Sequence, residues 1–535
     1  MNILRRDFVK LAGGAVPLLG STPQASSAVA QRGTLFNVRD FGAAGNASAI
    51  ESPAINRAIE AAAASGGGTV WFPAGTYTSY SIRLKSHITL LLDPGAVILS
   101  ASVPLQGTTT GGYDAAESNA PWEAYQDFGH NHWHNSLIWG EGLENISICG
   151  PGLIWGKNLS RGGKGRSPRD QGLPRAELSG VANKAIAFKN CRNVLLRDFS
   201  ILQGGHMAIL ATAVDNLTID NLTLDTNRDG MDIDCCRNVR VSNCSVNSPW
   251  DDGICLKSSY SLGFARATEN VTITGCYVTG GYDLGTLLDG TFRKFTPGGA
   301  NGNPTGRIKF GTSSNGGFKN IAVSNCVFDT CRGLALECVD GGSLEDVTIT
   351  GITMRSVTDA PLFLRLGSRL KGPEGITTGT LRRILISNIV SSNCVSEFAA
   401  ILSGVPGHQI EDIKISNIYL EHQGGGTAQM ASLRPEEQET AYPEVWKLGP
   451  MPAHGFFIRH VRNIELSGVE IVARKPDARP AMWLQDVDDA DFFRLKVPRG
   501  PGATAFVLKN CRQITICGSR GIEDTSISSE TEQTI

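Results

Sequence analysis

One phrase recurs along this chain, and its recurrence restricts the fold more than any other feature. In order it reads ENISICGPGLI, RNVLLRDFSIL, DNLTIDNLTLD, RNVRVSNCSVN, ENVTITGCYVT, KNIAVSNCVFD, EDVTITGITMR, RRILISNIVSS, EDIKISNIYLE and RNIELSGVEIV. Most copies hold a polar pair, alternating apolar residues, an Asn, Asp or Gly turn and another short apolar strand. Asn193, Asn216 and Asn238 open successive copies 23 and 22 residues apart, about the length of a rung of two or three strands joined by tight turns. No rung of that size buries its own apolar face, so rungs must stack into a parallel β-helix. A propeller would need a longer and more uniform period. Cys244, Cys276 and Cys326 hold equivalent places in the phrase and are expected to stack as buried thiols, whereas Cys511 and Cys517 are candidates for a bridge.

The segments around the repeats have other characters. Residues 35–70 hold a strand-like start, an amphipathic stretch around Ile55 to Ala64 and the glycines Gly66 to Gly68, which suits a helical cap over an open solenoid end. Residues 422–454 carry Pro, Gly and aromatics without alternation and read as a long loop between rungs, bordering a cleft. Residues 1–30, with Arg5, Arg6, Phe8 and Lys10 before a weakly apolar run, resemble a twin-arginine export signal. This implies a bacterial periplasmic or secreted protein, and leaves residues 31–535 as one domain. A net charge of -2 leaves no electrostatic footprint for nucleic acid or an anionic membrane. Thirteen cysteines show no zinc-site spacing.

The stretch NRDGMDIDCCRNVRVSNCSVNSPWDDGICLKSS, residues 227–259, is where carboxylates gather. Asp229 and Asp251 are one local repeat apart, so they are expected one above the other, with Asp252 adjoining. Crowded carboxylates raise at least one pKa, and an acid beside a base is what glycosidic hydrolysis requires. Asp232 and Asp234 are read as turn or supporting residues. Lys257 supplies a cation suited to an acidic sugar. In GHNHWHN, His130, His132 and His134 alternate as metal ligands might, but Trp133 equally suits a sugar-contacting loop. His206 reads as a core or rim histidine. Arg332, Arg365 and Arg369 are candidate carboxylate binders, and His454 and Arg459 border the long loop.

Taken together, FPAGTY in the cap, the repeats, NRDGMDID and WDDGICLKS resemble glycoside hydrolase family 28, the polygalacturonases and their rhamnogalacturonan-acting relatives. The likeness runs from about Phe36 to the last rungs and implies an all-β, right-handed parallel β-helix of the pectin-lyase-like kind. The family's Asn-Thr-Asp motif falls on Asn227, Arg228 and Asp229, with Arg in place of Thr; its Asp-Asp motif falls on Asp251 and Asp252. The resemblance implies that Asp251 protonates the leaving oxygen while Asp229 and Asp252 activate water, with inversion and with neither metal nor cofactor. Two motifs depart from the pattern. Gly306 stands near the position of the Gly-His-Gly histidine, and Ala335 and Glu337 replace the Arg and Lys of Arg-Ile-Lys. The string at Arg307 to Lys309 is then one rung out of register, its cations reaching the cleft from the neighbouring rung. Asn227, Lys257, Arg307, Lys309, Arg332 and Glu337 are thus the substrate-binding candidates. The expected partner is a pectic polysaccharide or oligosaccharide, bound by a monomer. A calcium-dependent lyase and a non-catalytic glycan-binding solenoid are the other readings, since fold alone does not choose among them.

Overall fold

The computed structural model describes residues 34–104, 110–127, 129–161, 178–294, 304–498 and 504–535. The export-signal segment lies outside the described residues. Strands pair in parallel from rung to rung, so that Arg192–Arg197 lies between Glu144–Cys149 and Asp215–Asp220, and Asp215–Asp220 in turn beside Arg237–Ser242. The result is the expected parallel β-helix. The last strand differs: Thr525–Thr534 runs antiparallel to Phe506–Cys517.

Inward side chains form ladders along the axis. Val194, Leu217, Val239, Val271, Ile321, Val347, Ile384, Ile413 and Ile464 are mutually in register on successive rungs and all are buried. The polar pair that opens each phrase explains the corner beside this ladder. Asn193, Asn216, Asn238, Asn270 and Asn320 each adopt a positive φ of 56° to 58°, a conformation Asn tolerates better than most residues. Each donates its amide to the Oδ1 of the Asn one rung before, at 2.7–3.2 Å, starting from Asn145. The turn signal of the sequence is therefore a continuous amide ladder.

Cys244, Cys276 and Cys326 are buried, as expected of stacked thiols. The proposed bridge is not formed, and every one of the thirteen cysteines is free. Cys511 lies within strand Phe506–Cys517 and Cys517 at its end, and the Cys511 thiol instead donates to the Lys509 carbonyl at 3.3 Å. At the other end, helix Ser52–Ala64 begins with Pro53 in its first turn and buries Ala54, Ile55, Ala58, Ile59 and Ala62. It packs on strands Leu35–Asn37, Gly68–Phe72 and Ile82–Arg83, as a cap should.

The segment read as a loop at 422–454 starts a little later. Strand Ile410–Gly424 includes His422, and the excursion then holds a helical turn at Ala428–Ala431 and a 3-10 turn at Val445–Leu448. Arg365 and Arg459, considered as ligand-binding or loop-bordering residues, are buried and hold this excursion by its backbone. Arg365 Nη2 donates to the carbonyls of Glu437 and Gln438, and Arg459 to those of Pro435, Glu436 and Glu437. No helix of the described residues is long and apolar enough to cross a membrane.

Candidate active site

One sheet of the helix is buried on both faces. Strands Asp229–Asp234, Ile254–Ser258, Ile308–Ser314 and Leu334–Cys338 are buried at every position, whereas Arg237–Ser242 alternates between buried and open. In the first sheet, Met231, Ile233, Ile254, Leu256, Ile308 and Phe310 join the core. The alternate positions carry Asp232, Asp234, Lys257, Lys309 and Glu337. A sheet whose outer face is both buried and charged must neutralise those charges locally, because ions are costly away from water.

Asp229, Asp251 and Asp252 converge, with one oxygen of each lying within 4.8 Å of the others. The register differs from the expected one. Asp232 pairs with Cys255 and Met231 with Ile254, which brings Asp252, not Asp251, level with Asp229. The turn after Asn247 is one residue longer than its predecessor, and Asp251 stands in that turn, its carbonyl accepting from Gly306 N at 2.9 Å. Asp251 is also the most open of the three, its side chain 26% exposed against 4% for that of Asp252.

Each carboxylate has a different electrostatic setting. Arg228, which stands where the family motif has Thr, donates from Nε to Asp251 Oδ2 at 3.2 Å. Burial opposes ionisation of Asp251, but that guanidinium outweighs it and holds the carboxyl below its ordinary range. Asp252 accepts from Arg307 Nε at 2.8 Å and has Lys309 Nζ at 3.5 Å. Burial again opposes ionisation, and these cations again prevail. Asp229 is raised well above the usual range, first by burial and then by the charges of Asp232 and Asp251. Of the three, Asp229 is thus the carboxyl that burial and like charge push toward the protonated form. The Asn227 amide and Asp229 Oδ1 are buried without a hydrogen bond to the described protein, an open capacity that a polar ligand can fill.

The remaining candidates fall into two groups. Lys257 Nζ lies 3.3 Å from Asp232 Oδ1, so of the two expected roles Asp232 has the supporting one, in a strand and a buried pair, and not that of a turn residue. Asp234 likewise lies in the strand, accepting from Ser259 N and from the hydroxyls of Ser259 and Ser261. Glu337 is fully buried behind the trio, 3.3 Å from Lys309 and hydrogen-bonded to Thr312. Its contacts are thus with the buried cations beside the trio. Arg332 reaches Glu444 at 3.2 Å, and Arg307 Nη2 reaches the same carboxylate at 3.2 Å. Trp133 is buried against Ala187, Met207 and Leu210, its indole N–H donating to Thr212, so it presents no open face to a sugar. His130 lies 3.8 Å from Asp232, while His134 meets Glu117 and Glu141 at 3.6 and 2.9 Å. His206 is buried, with Arg228 Nη1 3.1 Å from its Nδ1.

Sequence reasoning did not single out Glu444, Tyr442, Asp127 or Asp359. Glu444 and Tyr442 come from the long excursion, which thus borders the cleft; the Tyr442 ring lies 5.5 Å from Lys309 Nζ. Asp127 meets Lys371 at 2.7 Å and Ser313 at 3.2 Å. Asp359 is pushed up to about 7 by burial, against the pull of Arg332 and Arg307. No local spacing marks these residues, because loops far apart in the chain deliver them.

Comparison with known proteins agrees with this architecture. Residues 35–146 match the family described as rhamnogalacturonase A/epimerase, pectate lyase-like, and residues 175–357 match the right-handed β-helix region. A probable polygalacturonase of Vitis vinifera is 22% identical over 431 residues, covering 73% of this chain and 75% of that one. The exopolygalacturonase of Thermotoga maritima superposes with a TM-score of 0.57 at 17% identity, over 82% of this chain and 91% of its own. The family 28 exopolygalacturonase of Yersinia enterocolitica gives 0.54 at 17% identity, over 90% and 78%. The chain is a parallel β-helix protein whose residues 35–146 are similar to the pectate-lyase-like family. In sequence it is similar to a polygalacturonase, and in fold to two exopolygalacturonases.

Proposed function

We propose that the protein is an exported glycoside hydrolase that cleaves α-glycosidic bonds in galacturonate- or rhamnose-containing pectic chains. The convergence of Asp229, Asp251 and Asp252 within 4.8 Å carries this reading, and Asp229, raised by burial and by its neighbours, is proposed to hold one proton that the trio shares. Asp251, the most open carboxyl, is the one able to reach a leaving oxygen. When a sugar occupies the site and draws Arg228 aside, the shared proton passes from Asp229 to Asp251 and on to that oxygen. Asp229 is left ionised beside Asp252, and the pair activates water. Arg307 and Lys309 keep Asp252 charged throughout, and Tyr442 offers a ring face at the cleft rim.

The motif cations are engaged with Asp252, Glu337 and Glu444, so plain polygalacturonate is a poorer candidate than a branched fragment or a different sugar at the cleaved position. The excursion carrying Tyr442 and Glu444 is the proposed wall that restricts action to chain ends. Deleting it should turn monosaccharide release into release of longer products; unchanged monosaccharide release would remove it from that role.

Product analysis on homogalacturonan, rhamnogalacturonan and their oligosaccharides, with and without chelator, tests the whole reading. New reducing ends without ultraviolet absorbance, lost in Asp251→Asn, are expected. Absorbing products that vanish with chelator would make the protein a calcium-dependent lyase, with the trio as cation ligands. Binding without products would make it a glycan-binding solenoid. The resemblance implies inversion, although most inverting pairs stand roughly 6.5–9.5 Å apart and this trio is closer. The anomer released first, read by NMR, settles the stereochemistry.

A further inference from the structure

Beside the trio lies a second feature, a cavity of about 560 Å³ whose wall includes Glu117, Glu123, Asn131, His132, Asn135 and Lys184. Lys184, Met207 and Asp229 occupy the same position on three successive rungs. Two strand spacings, roughly 10 Å, thus separate the backbone of Lys184 from that of Asp229.

The charges of this wall are unevenly matched. Glu117 faces His134 at 3.6 Å, Glu123 faces His132 at 4.0 Å, and Asp127, also in the wall, is paired with Lys371. Lys184 is fully buried, yet among the described residues its ammonium meets only amide oxygens, those of Asn135 at 3.2 Å and of Asn183. Asn131 Oδ1 is buried nearby without a hydrogen bond. A buried ammonium without a carboxylate in contact is an unfavourable choice for packing alone. It becomes favourable when an anion enters and accepts a charge-assisted hydrogen bond from the ammonium.

We propose that this cavity seats a uronate unit of the substrate, with Lys184 as the counter-cation of its carboxylate. The proposal rests on the pectic reading above and supplies what the altered motif lacks, since Arg307 and Lys309 already serve protein carboxylates. Burial draws the Lys184 ammonium down to about 7, against the pull of Glu117. Lys184 in turn helps to lower His132 and His206, both held below their ordinary range chiefly by burial. An empty cavity therefore loses its cation as pH rises above about 7, and carboxylate binding should be tighter at pH 6 than at pH 8.

The test is calorimetric titration of digalacturonate and of its methyl ester into Asp251→Asn protein, in which turnover is blocked. Digalacturonate is expected to bind about tenfold or more tighter than the ester, and Lys184→Met should abolish that preference. Asn135→Asp keeps the lysine but provides an internal carboxylate, so it should also abolish the preference, and it carries the test if Lys184→Met does not fold. A folded variant of either kind that retains the preference would overturn the proposal. In otherwise wild-type protein Lys184→Met should raise KM about tenfold and leave kcat within a few-fold; a fall in kcat alone would count against it. Lys184-dependent binding without cleavage of any pectic chain would leave the cavity standing and remove the hydrolase; cleavage with no Lys184 dependence would do the reverse.

Discussion

Arg228 decides which member of the trio is charged before substrate arrives. Removing its guanidinium in Arg228→Gln leaves Asp251 with burial and its like-charged neighbours, so its pKa must rise. The acidic limb of the kcat/KM profile is expected to move up by about one unit or more, and an unmoved limb would show that Asp251 does not set it. Asp229→Asn and Asp252→Asn should each lower kcat by roughly 10²–10⁴ without changing the far-ultraviolet circular dichroism. The trio itself was legible in sequence, because Asp229 and the Asp251-Asp252 pair are almost one repeat apart. Their exact register was not, because the extra residue after Asn247 is visible only once rungs are aligned. That Arg307 and Lys309 stand on the rung beside the trio was legible through motif spacing, but their engagement with Asp252, Glu337 and Glu444 was not. Glu444 and Asp359 were not, since a carboxylate in an irregular loop has no period to betray it.

At the level of elements, two devices have measurable weight. The amide ladder predicts that Asn216→Ala costs about 1–2 kcal/mol, from lost hydrogen bonds to Asn193 and Asn238 and a strained positive φ. Asn216→Gly should recover the backbone share only, and thermal unfolding of the two variants separates the contributions. The excursion after Gly424 is anchored near His422 and His454, which are buried and held down to about 3 and about 4, chiefly by burial. In the unfolded chain each takes up a proton near 6.5. The unfolded state thus binds more protons in that window, so this stability is complete above about pH 6.5 and is lost as pH falls toward 3 to 4. Limited proteolysis should cut within residues 425–455 faster at pH 5 than at pH 7. His422→Phe should narrow that difference, and an undiminished difference would place the acid sensitivity elsewhere. The strands and the cap were legible because period and turn residues repeat. The anchoring of the excursion by Arg365 and Arg459 was hidden, because backbone carbonyls as partners leave no mark in sequence.

The whole molecule is a stack in which each rung is stabilised by its neighbours, so local damage should propagate. Truncating a ladder residue at mid-stack, as in Ile384→Ala, is expected to cost about 2–5 kcal/mol; calorimetry should show one lowered transition if the stack unfolds cooperatively. The two ends are treated differently from everything between them. A helix lies over the first strands, and a polar strand, TSISSETEQT, reverses direction against the last. Parallel strands added one upon another are also how fibrils elongate, each new molecule copying the edge it meets. A solenoid of this kind is in effect a filament of fixed length, whose growing tip has been replaced by a surface that templates nothing.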